Sequence, residues 1–402
     1  MNMDIVCWLA FPCHYYTGIF RELAHLWQGK ITAVFEHKTN SMYKGLNLQS
    51  PELGKINSIY LDQTNDSSSL ARDIITANAN AIHIYLSFQP REKFFQLCIP
   101  QIIKTTDTKL VIFSERPRQY TFFMGLAREL NYRLNALKYR SKVSAILALG
   151  NLGAAAFNRF GFNETKIFPM LYCVDQSITQ PITQPALQPI TITQQTISSR
   201  QIKSEQEPIR FIHLAGLQEH YRKGLDLIFK AFSSLQNLNW TCDILGFDRT
   251  VQLSDQIRSM GLEQKIHFLG KCTNTEVFEY IQKNDILLLP SRHDGWGVAI
   301  AEAIFCGLGT IASDNVGSKD LIEGFQCGQI LKAGDVRSLA NSIKFCIENK
   351  FIVEQWKSNA IKHRHRLTSL IVADYMKQIL EYVFINKFQG ERPVPPWNVN
   401  AE

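Results

Sequence analysis

Pro290–Glu302 reads PSRHDGWGVAIAE and follows the apolar run Asp285–Leu289. That run has the length of a buried strand, and it ends at Pro290. A polar turn, then Gly295-Trp296-Gly297, then an apolar helical pattern from about Val298 come next. Glycines at a helix entry let backbone approach a ligand closely. The first N–H groups of such a helix have no partner within it and lie at the positive end of its dipole, which suits a diphosphate. Asp294 falls in the turn and Glu302 more than one turn into the helix, so the two acids can hold different ends of one elongated ligand. An isolated pair of this kind is more often a cap and a surface carboxylate. Its surroundings decide.

Outward from this stretch, strands and helices alternate. Arg210–Ala215, Thr241–Leu245, Lys265–Leu269, Asp285–Leu289, Gly309–Ala312 and Gly328–Leu331 read as strands. Gly224–Leu235, Val251–Met260, Asp335–Asn349, Val353–His365 and Leu370–Ile385 read as helices, and Thr273–Glu276 is a capping box opening another that runs to about Lys283. The N-terminal part repeats the pattern. Its strands are Ile5–Phe11, Ile31–Phe35, Ala81–Phe88, Lys109–Ser114 and Ala145–Gly150, and its helices Gly18–Trp27, Ser67–Ala79, Arg91–Thr105 and Thr121–Arg140. Such alternation implies α/β domains, each a parallel sheet covered on both faces. Between them Gln176–Pro208, rich in Gln, Thr, Ser and Pro with recurring TQP units, reads as a linker or surface insertion. The expected division is residues 1–175, a linker at 176–208, a second domain at 209–370, and a last helix and tail at 371–402.

Ligands of such sheets bind outside the carboxyl ends of strands. His213–Phe232 carries Arg222 and Lys223 in the loop after a strand, where cations meet phosphates. In isolation they read more readily as a solvated basic pair.

Composition narrows the class. The chain has 402 residues, 45% hydrophobic and 20% charged, with a formal net charge of +7. That mild excess suits phosphate handling or an anionic surface and is too dispersed to indicate nucleic-acid binding. Nine scattered cysteines without a CxxC pair argue against a disulfide framework or zinc site and for a reducing, cytoplasmic setting. No apolar run reaches the ~18 residues of a spanning helix. MNMDIVCWLAF at the start reads as a first strand, not a signal peptide. His363 and His365, two apart on a helix, do not share a face and make no metal pair.

Residues 285–322 resemble the retaining GT-B glycosyltransferases, specifically their large family 4. The resemblance rests on Pro290-Ser291, Asp294, Gly295-Trp296-Gly297, Glu302-Ala303, Gly307, Thr310–Ser313, Gly317 and Asp320–Ile322, with Gly334-Asp335 downstream. The usual first acid is Glu, so Asp294 is one methylene shorter. Lys223-Gly224 match a second motif, in which Arg normally follows Gly216; here Leu217 stands there, and Arg222 is the candidate to supply the guanidinium from the other side of the loop. The strand-Leu-Gly segment at Ile266–Gly270 and Gly246 correspond to loops around the base. In the N-terminal half the likeness is weaker. It covers Asn151–Asp175, including the closing Val-Asp, and Cys13–Gly18, a loop meeting acceptor and diphosphate, with Gly18 opening a helix.

The resemblance implies two Rossmann-like domains facing across a cleft, with the last helix crossing back to the first domain. It implies transfer of a sugar, with retention and without a metal or other cofactor, from a UDP- or GDP-linked donor to a glycan or lipid-linked hydroxyl, as in polysaccharide biosynthesis. Lys223, Arg222 and the amides of Trp296, Gly297 and Val298 would stabilise the leaving diphosphate. Asp294 would orient the sugar, Glu302 hold the ribose, and Gly295, Gly216, Gly246 and Gly18 allow close approach. On the acceptor side stand His83, more commonly a core residue on such a strand, and Glu115 and Arg116, where many relatives carry a His. Competing readings are a nucleotide-sugar epimerase of the same fold, a non-catalytic sugar-nucleotide-binding module, and an assembly scaffold with a vestigial site.

Thr121–Arg140 places Phe123, Leu126, Ala127, Leu130, Leu134 and Leu137 on one face, with Arg128, Arg133, Lys138 and Arg140 around the rest. The favoured expectation is that this face packs on the sheet. The alternative is a helix at a membrane surface and a peripheral inner-membrane contact.

Overall fold

The structure, a computed structural model, describes residues 3–39, 50–89, 92–105, 109–117, 122–177, 207–214, 220–246 and 250–399; for 122–126 and 274 it describes backbone only. The chain divides into two compact units. The first comprises Met1–Lys44, Ser50–Asp175 and Ser369–Glu402, the second Gly45–Gln49 and Gln176–Thr368. Most of the Gln176–Pro208 segment lies outside the described residues.

The first unit holds a seven-stranded sheet. Its strands are β1 (Ile5–Leu9), β2 (Ile31–Phe35), β3 (Asn57–Tyr60), β4 (Ile82–Leu86), β5 (Lys109–Ser114), β6 (Val143–Leu149) and β7 (Ile167–Met170), in the order β3-β2-β1-β4-β5-β6-β7. Every pairing is parallel. β1 and β2 are buried along their whole length, because helices cover both faces and no position faces water. β3 was not legible in the sequence: Asn57–Tyr60 is a part-exposed edge strand without an apolar run. The helices are α1 (His14–Leu26), α2 (Ser67–Ala77), α3 (Lys93–Lys104), α4 (Phe122–Tyr139) and α5 (Gly150–Arg159). The late helix Ser369–Phe384 belongs to this unit, where its Tyr375 hydroxyl donates to the Pro169 carbonyl at 2.9 Å.

Two expectations fail here. Cys13–Gly18 is not a loop, because α1 begins at His14. Cys13 is its extended N-cap, and Thr17 closes the first turn by accepting from the Cys13 N–H at 3.1 Å. Gly18 therefore lies inside the helix and does not open it. It is a packing glycine: a Cβ there would meet Cys173 Sγ at 3.2 Å and Asp175 Cγ at 3.3 Å. The space holds Asp175, which accepts from Arg21 Nη2 at 2.7 Å and lies 3.2 Å from His14 Nδ1.

The second failure is the rotation of α4. Tyr132, Ala136 and Tyr139 face the core, whereas Leu130, Leu134 and Leu137 are exposed. Aromatic packing decides the orientation. Tyr132 stacks on Phe160 at 5.1 Å, and Tyr139 meets Phe95 edge-on at 5.8 Å.

The second unit has a six-stranded sheet of β8 (Ile209–Leu214), β9 (Trp240–Leu245), β10 (Ile266–Gly270), β11 (Ile286–Leu289), β12 (Gly309–Ser313) and β13 (Gly328–Leu331), in the order β10-β9-β8-β11-β12-β13. All pairings are again parallel. Helices α6 (His220–Lys223), α7 (Leu225–Ser233), α8 (Val251–Ser259), α9 (Asn274–Gln282), α10 (Val298–Cys306), α11 (Lys319–Phe325), α12 (Val336–Glu348) and α13 (Lys350–His363) complete it. The capping box of α9 forms in both directions: Thr273 N donates to Glu276 Oε2 at 2.7 Å and Glu276 N to Thr273 Oγ1 at 3.4 Å. Strand order reverses between β8 and β11, so chain leaves these neighbours in opposite senses and opens a crevice at their carboxyl ends.

Candidate functional site in the second unit

The two motifs singled out in the sequence leave the two strands at that reversal. β8 leads through residues 215–219 to α6, and β11 leads through Pro290 to the Asp294 turn. Gly216 and Leu217 lie outside the described residues. Arg222 and Lys223 sit on the short helix α6, not on an open loop. Gly224 ends it with φ 81°, and a Cβ there would lie 2.4 Å from the Pro290 carbonyl oxygen. A glycine is what lets the β8 and β11 connections touch.

That contact brings the charges together. Lys223 Nζ donates to Asp294 Oδ2 at 2.6 Å, and Arg222 Nη1 lies 3.6 Å from the same oxygen. Arg222 also donates to the His293 carbonyl at 2.8 Å. Asp294 is buried, and burial alone would raise its pKa; the Lys223 and Arg222 charges outweigh this and hold the carboxyl below its ordinary value. Two cations thus converge on one carboxylate.

The loop has a second brace that the sequence reading missed. Arg292 makes a bidentate pair with Asp226, at 2.7 and 2.8 Å, and its guanidinium stacks 3.7 Å above the Tyr221 ring. Asn315 Nδ2 donates to the Arg292 carbonyl at 2.5 Å, and Asp294 N donates to the Asn315 carbonyl at 3.0 Å. His293, beside Asp294 in the chain, is buried too. None of these residues has a periodic or motif signal; only proximity to Asp294 in the chain could have pointed at Arg292 and His293.

Gly295, Trp296 and Gly297 are all buried. The Trp296 ring, 1% exposed, belongs to the core, so this residue can serve a ligand only through its backbone. Gly297 has φ 85° and is the N-cap of α10, with no side chain to cap the first turn. Ser318 Oγ donates to its carbonyl at 2.9 Å and Ser318 N to the Trp296 carbonyl at 2.7 Å. At Gly317 a Cβ would stand 2.2 Å from the Gly295 oxygen. Val298 is half-buried at the helix start, and Glu302, 8% exposed, lies on α10 close enough to influence Cys272 after β10. Gly246 ends β9 with φ 112° and donates to the Gly270 carbonyl at 2.9 Å.

Of the acceptor-side candidates, His83 is a core residue. It is 0% exposed, accepts from Trp8 Nε1 at 3.1 Å on Nδ1, and has Nε2 3.0 Å from the Asn78 carbonyl. Burial lowers its pKa to about 4, so it is neutral and already fully bonded. Glu115 is exposed and hydrogen-bonds the half-buried Tyr172, while Arg116 is buried. Tyr172 packs with Tyr15, Tyr16 and Phe113, an aromatic group the sequence reading overlooked. Ser87, just past β4, has φ 92°, a strained backbone for a side-chain-bearing residue.

Comparison with known proteins agrees with this architecture. Residues 194–363, most of the second unit, match the family described as Glycosyl transferases group 1. The lipopolysaccharide core biosynthesis mannosyltransferase LpcC of Rhizobium leguminosarum bv. viciae is 26% identical over 161 residues, 38% of this chain and 45% of that protein. The amylovoran biosynthesis glycosyltransferase AmsK of Erwinia amylovora is 31% identical over 143 residues, 33% of this chain and 35% of that protein. The matched stretches thus span less than half of these relatives. Among solved structures, Anabaena HepE in complex with UDP superposes over 94% of this chain and 100% of its own with a TM-score of 0.68 at 17% identity. A glycosyltransferase from Rickettsia africae ESF-5 does so over 96% and 100%, with a TM-score of 0.68 at 14% identity. The fold is GT-B, as the sequence resemblance implied.

Proposed function

We propose that the protein is a retaining glycosyltransferase. It takes a sugar from a nucleotide diphosphate donor and gives it to a hydroxyl of a glycan or lipid-linked acceptor. The observation that carries this reading is the convergence of Lys223 and Arg222 on Asp294 at the strand-order reversal, beside the uncapped start of α10. As the C1–O bond to the diphosphate breaks, negative charge grows on the leaving group. Fixed cations and helix-start N–H groups stabilise that charge without rearranging. Asp294, held ionised by its neighbours, orients the sugar hydroxyls, and Glu302 on α10 takes the ribose. The acceptor oxygen forms its bond to C1 on the face the diphosphate leaves, and its proton passes to a phosphate oxygen. No metal is required in this scheme, because protein cations do the charge stabilisation.

Several relatives support a glycolipid or glycan acceptor by name, among them the N,N'-diacetylbacillosaminyl-diphospho-undecaprenol alpha-1,3-N-acetylgalactosaminyltransferase of Campylobacter jejuni. Among the described residues no helix is long and apolar enough to cross a membrane, so such an acceptor would be met at a surface.

Nucleotide release from a panel of UDP-, GDP- and ADP-sugars, with EDTA present, tests the reading. Acceptor-dependent release is expected from at least one donor. Binding without release from any donor points to a non-catalytic module, acceptor-independent conversion of the sugar to an epimerase, and inhibition by EDTA contradicts the metal-free scheme.

A further inference from the structure

The Tyr221 side chain is 70% exposed, yet its ring is fixed from behind. The Arg292 guanidinium carbon lies 3.7 Å from the ring centroid. Arg292 Nη1 also donates to the Tyr221 carbonyl at 2.6 Å, and its two terminal nitrogens hold the two oxygens of Asp226. One face of the ring therefore rests on a guanidinium that is itself pinned, and the other face meets solvent. A lone exposed aromatic on a surface is ordinary. One locked in place has already lost the rotamer freedom that binding a ligand would otherwise cost.

The charge behind the ring indicates the ligand. An unpaired guanidinium would make the stack cationic and suit an anion. Here Asp226 cancels it. Burial would raise the Asp226 pKa, but the bonds and charge of Arg292 outweigh this and hold the carboxyl below its ordinary value. The open face then keeps the negative quadrupole of a phenol ring, which attracts the weakly positive C–H groups on the flat side of a pyranose. Hydroxyls at the edge of such a sugar find polar partners nearby. The half-buried Asp226 carboxylate is one, and the exposed Lys230 ammonium, 3.8 Å from it, is another. An apolar face with a few placed polar groups is the composition of a small-ligand site.

Position says which sugar. Arg292 and Tyr221 each stand two residues before the pair Asp294 and Lys223, on the two connections that touch at Gly224. Exposure rises the same way, from buried Asp294 through half-buried Lys223 to exposed Tyr221. The stack is the outer lip of the site. The nucleotide leads elsewhere, because Glu302, assigned to the ribose, lies on α10 near Cys272 after β10. The Tyr221 ring is left for what lies beyond the transferred sugar.

We propose that Tyr221, seated on Arg292, is a stacking subsite for a sugar ring of the acceptor other than the one that receives the new bond. This subsite rests on the transferase reading and narrows it: the acceptor is an oligosaccharide chain, not a single sugar or a bare lipid.

An array of mono- and oligosaccharides, probed with the full chain in the presence of UDP or GDP, followed by calorimetric titration of the bound glycans, tests it. Wild type is expected to bind at least one oligosaccharide about tenfold or more tighter than its component monosaccharides. Tyr221→Ala is expected to lose about tenfold or more of that affinity, and Tyr221→Trp to keep it. Nucleotide affinity should match wild type in both variants, since the bonds of Arg292 to Asp226 and to the main-chain carbonyl at 221 do not involve the ring. Wild type that binds nucleotide but no oligosaccharide overturns this subsite alone. Failure to bind any nucleotide overturns the transferase reading and the subsite with it. Unchanged oligosaccharide binding by Tyr221→Ala, or no rescue by Tyr221→Trp, also overturns the subsite. A fall in nucleotide affinity in Tyr221→Ala does so too, by giving the ring to the base.

Discussion

Lys223 Nζ and Asp294 Oδ2 lie 2.6 Å apart, although 71 residues separate them in the chain. The two side chains close the carboxyl ends of β8 and β11 against each other, and both are nearly buried. Removing Lys223 leaves the buried carboxylate one cation short, and removing Asp294 leaves Lys223 and Arg222 without the carboxylate they share. Lys223→Met and Asp294→Asn are each expected to destabilise the second unit by roughly 3 kcal/mol. The double variant should lose less than the sum, with a coupling of about 1–3 kcal/mol. Urea denaturation of the four proteins measures this; strict additivity would mean that the pair is not energetically linked.

Gly317 tests the packing beneath the loop. A Cβ there would overlap the Gly295 carbonyl, which is backbone and cannot swing aside. Gly317→Ala is therefore expected to cost more than about 3 kcal/mol and to weaken nucleotide binding. Gly334→Ala is the control: φ is 85°, yet nothing lies within 4 Å of the added carbon, so only the backbone penalty of about 1 kcal/mol applies. Equal melting temperatures for the two variants would show that the Gly317 contact yields easily.

His83 gives a pH dependence with a definite sign. Its pKa falls from 6.5 to about 4 on burial, so between these values the unfolded chain binds the proton and the folded one does not. Stability from this group is complete above about pH 6.5 and is lost as pH falls toward 4. Between pH 7.5 and pH 5 the loss is roughly 2 kcal/mol. His83→Gln should be less stable at neutral pH, yet should show a pH slope shallower by about that amount. Denaturation at the two pH values checks it, and identical slopes would place the dependence elsewhere, for instance at His213, whose pKa burial also lowers to about 4.

Glu302→Gln keeps the size of the side chain and removes its charge. If Glu302 holds the ribose, nucleotide affinity should fall about tenfold, the worth of one charged hydrogen bond. Titration with nucleosides lacking the 2′- and 3′-hydroxyls should then show no difference between variant and wild type. A difference that persists assigns Glu302 a structural role.

The second unit was the more legible half. Its strands are continuous apolar runs, and Thr273–Glu276 and the glycines of 295–297 announce helix starts by local chemistry that tertiary context cannot override. The braces Arg292–Asp226 and Asn315–Asp294 were not legible, because they join distant segments and depend on how the loops meet. In the first unit the period of α4 was correct but its phase was not. Two tyrosines and an alanine also share a face, and hydrophobicity counts rank leucine above tyrosine although ring packing gains more here. His83 shows why a polar residue on a buried strand is ambiguous: the strand pattern allows chemistry or core, and only the contacts, Trp8 and Asn78 on its two nitrogens, separate them.

Lys223, Arg222 and the start of α10 form the proposed diphosphate site. Equilibrium titration with UDP, GDP and ADP, each against its monophosphate, tests it most directly in wild type and in folded Lys223→Met. Wild type is expected to prefer at least one diphosphate over its monophosphate by about tenfold or more, and Lys223→Met to lose most of that preference. Binding of no nucleotide, or a preference that survives loss of Lys223, would contradict it.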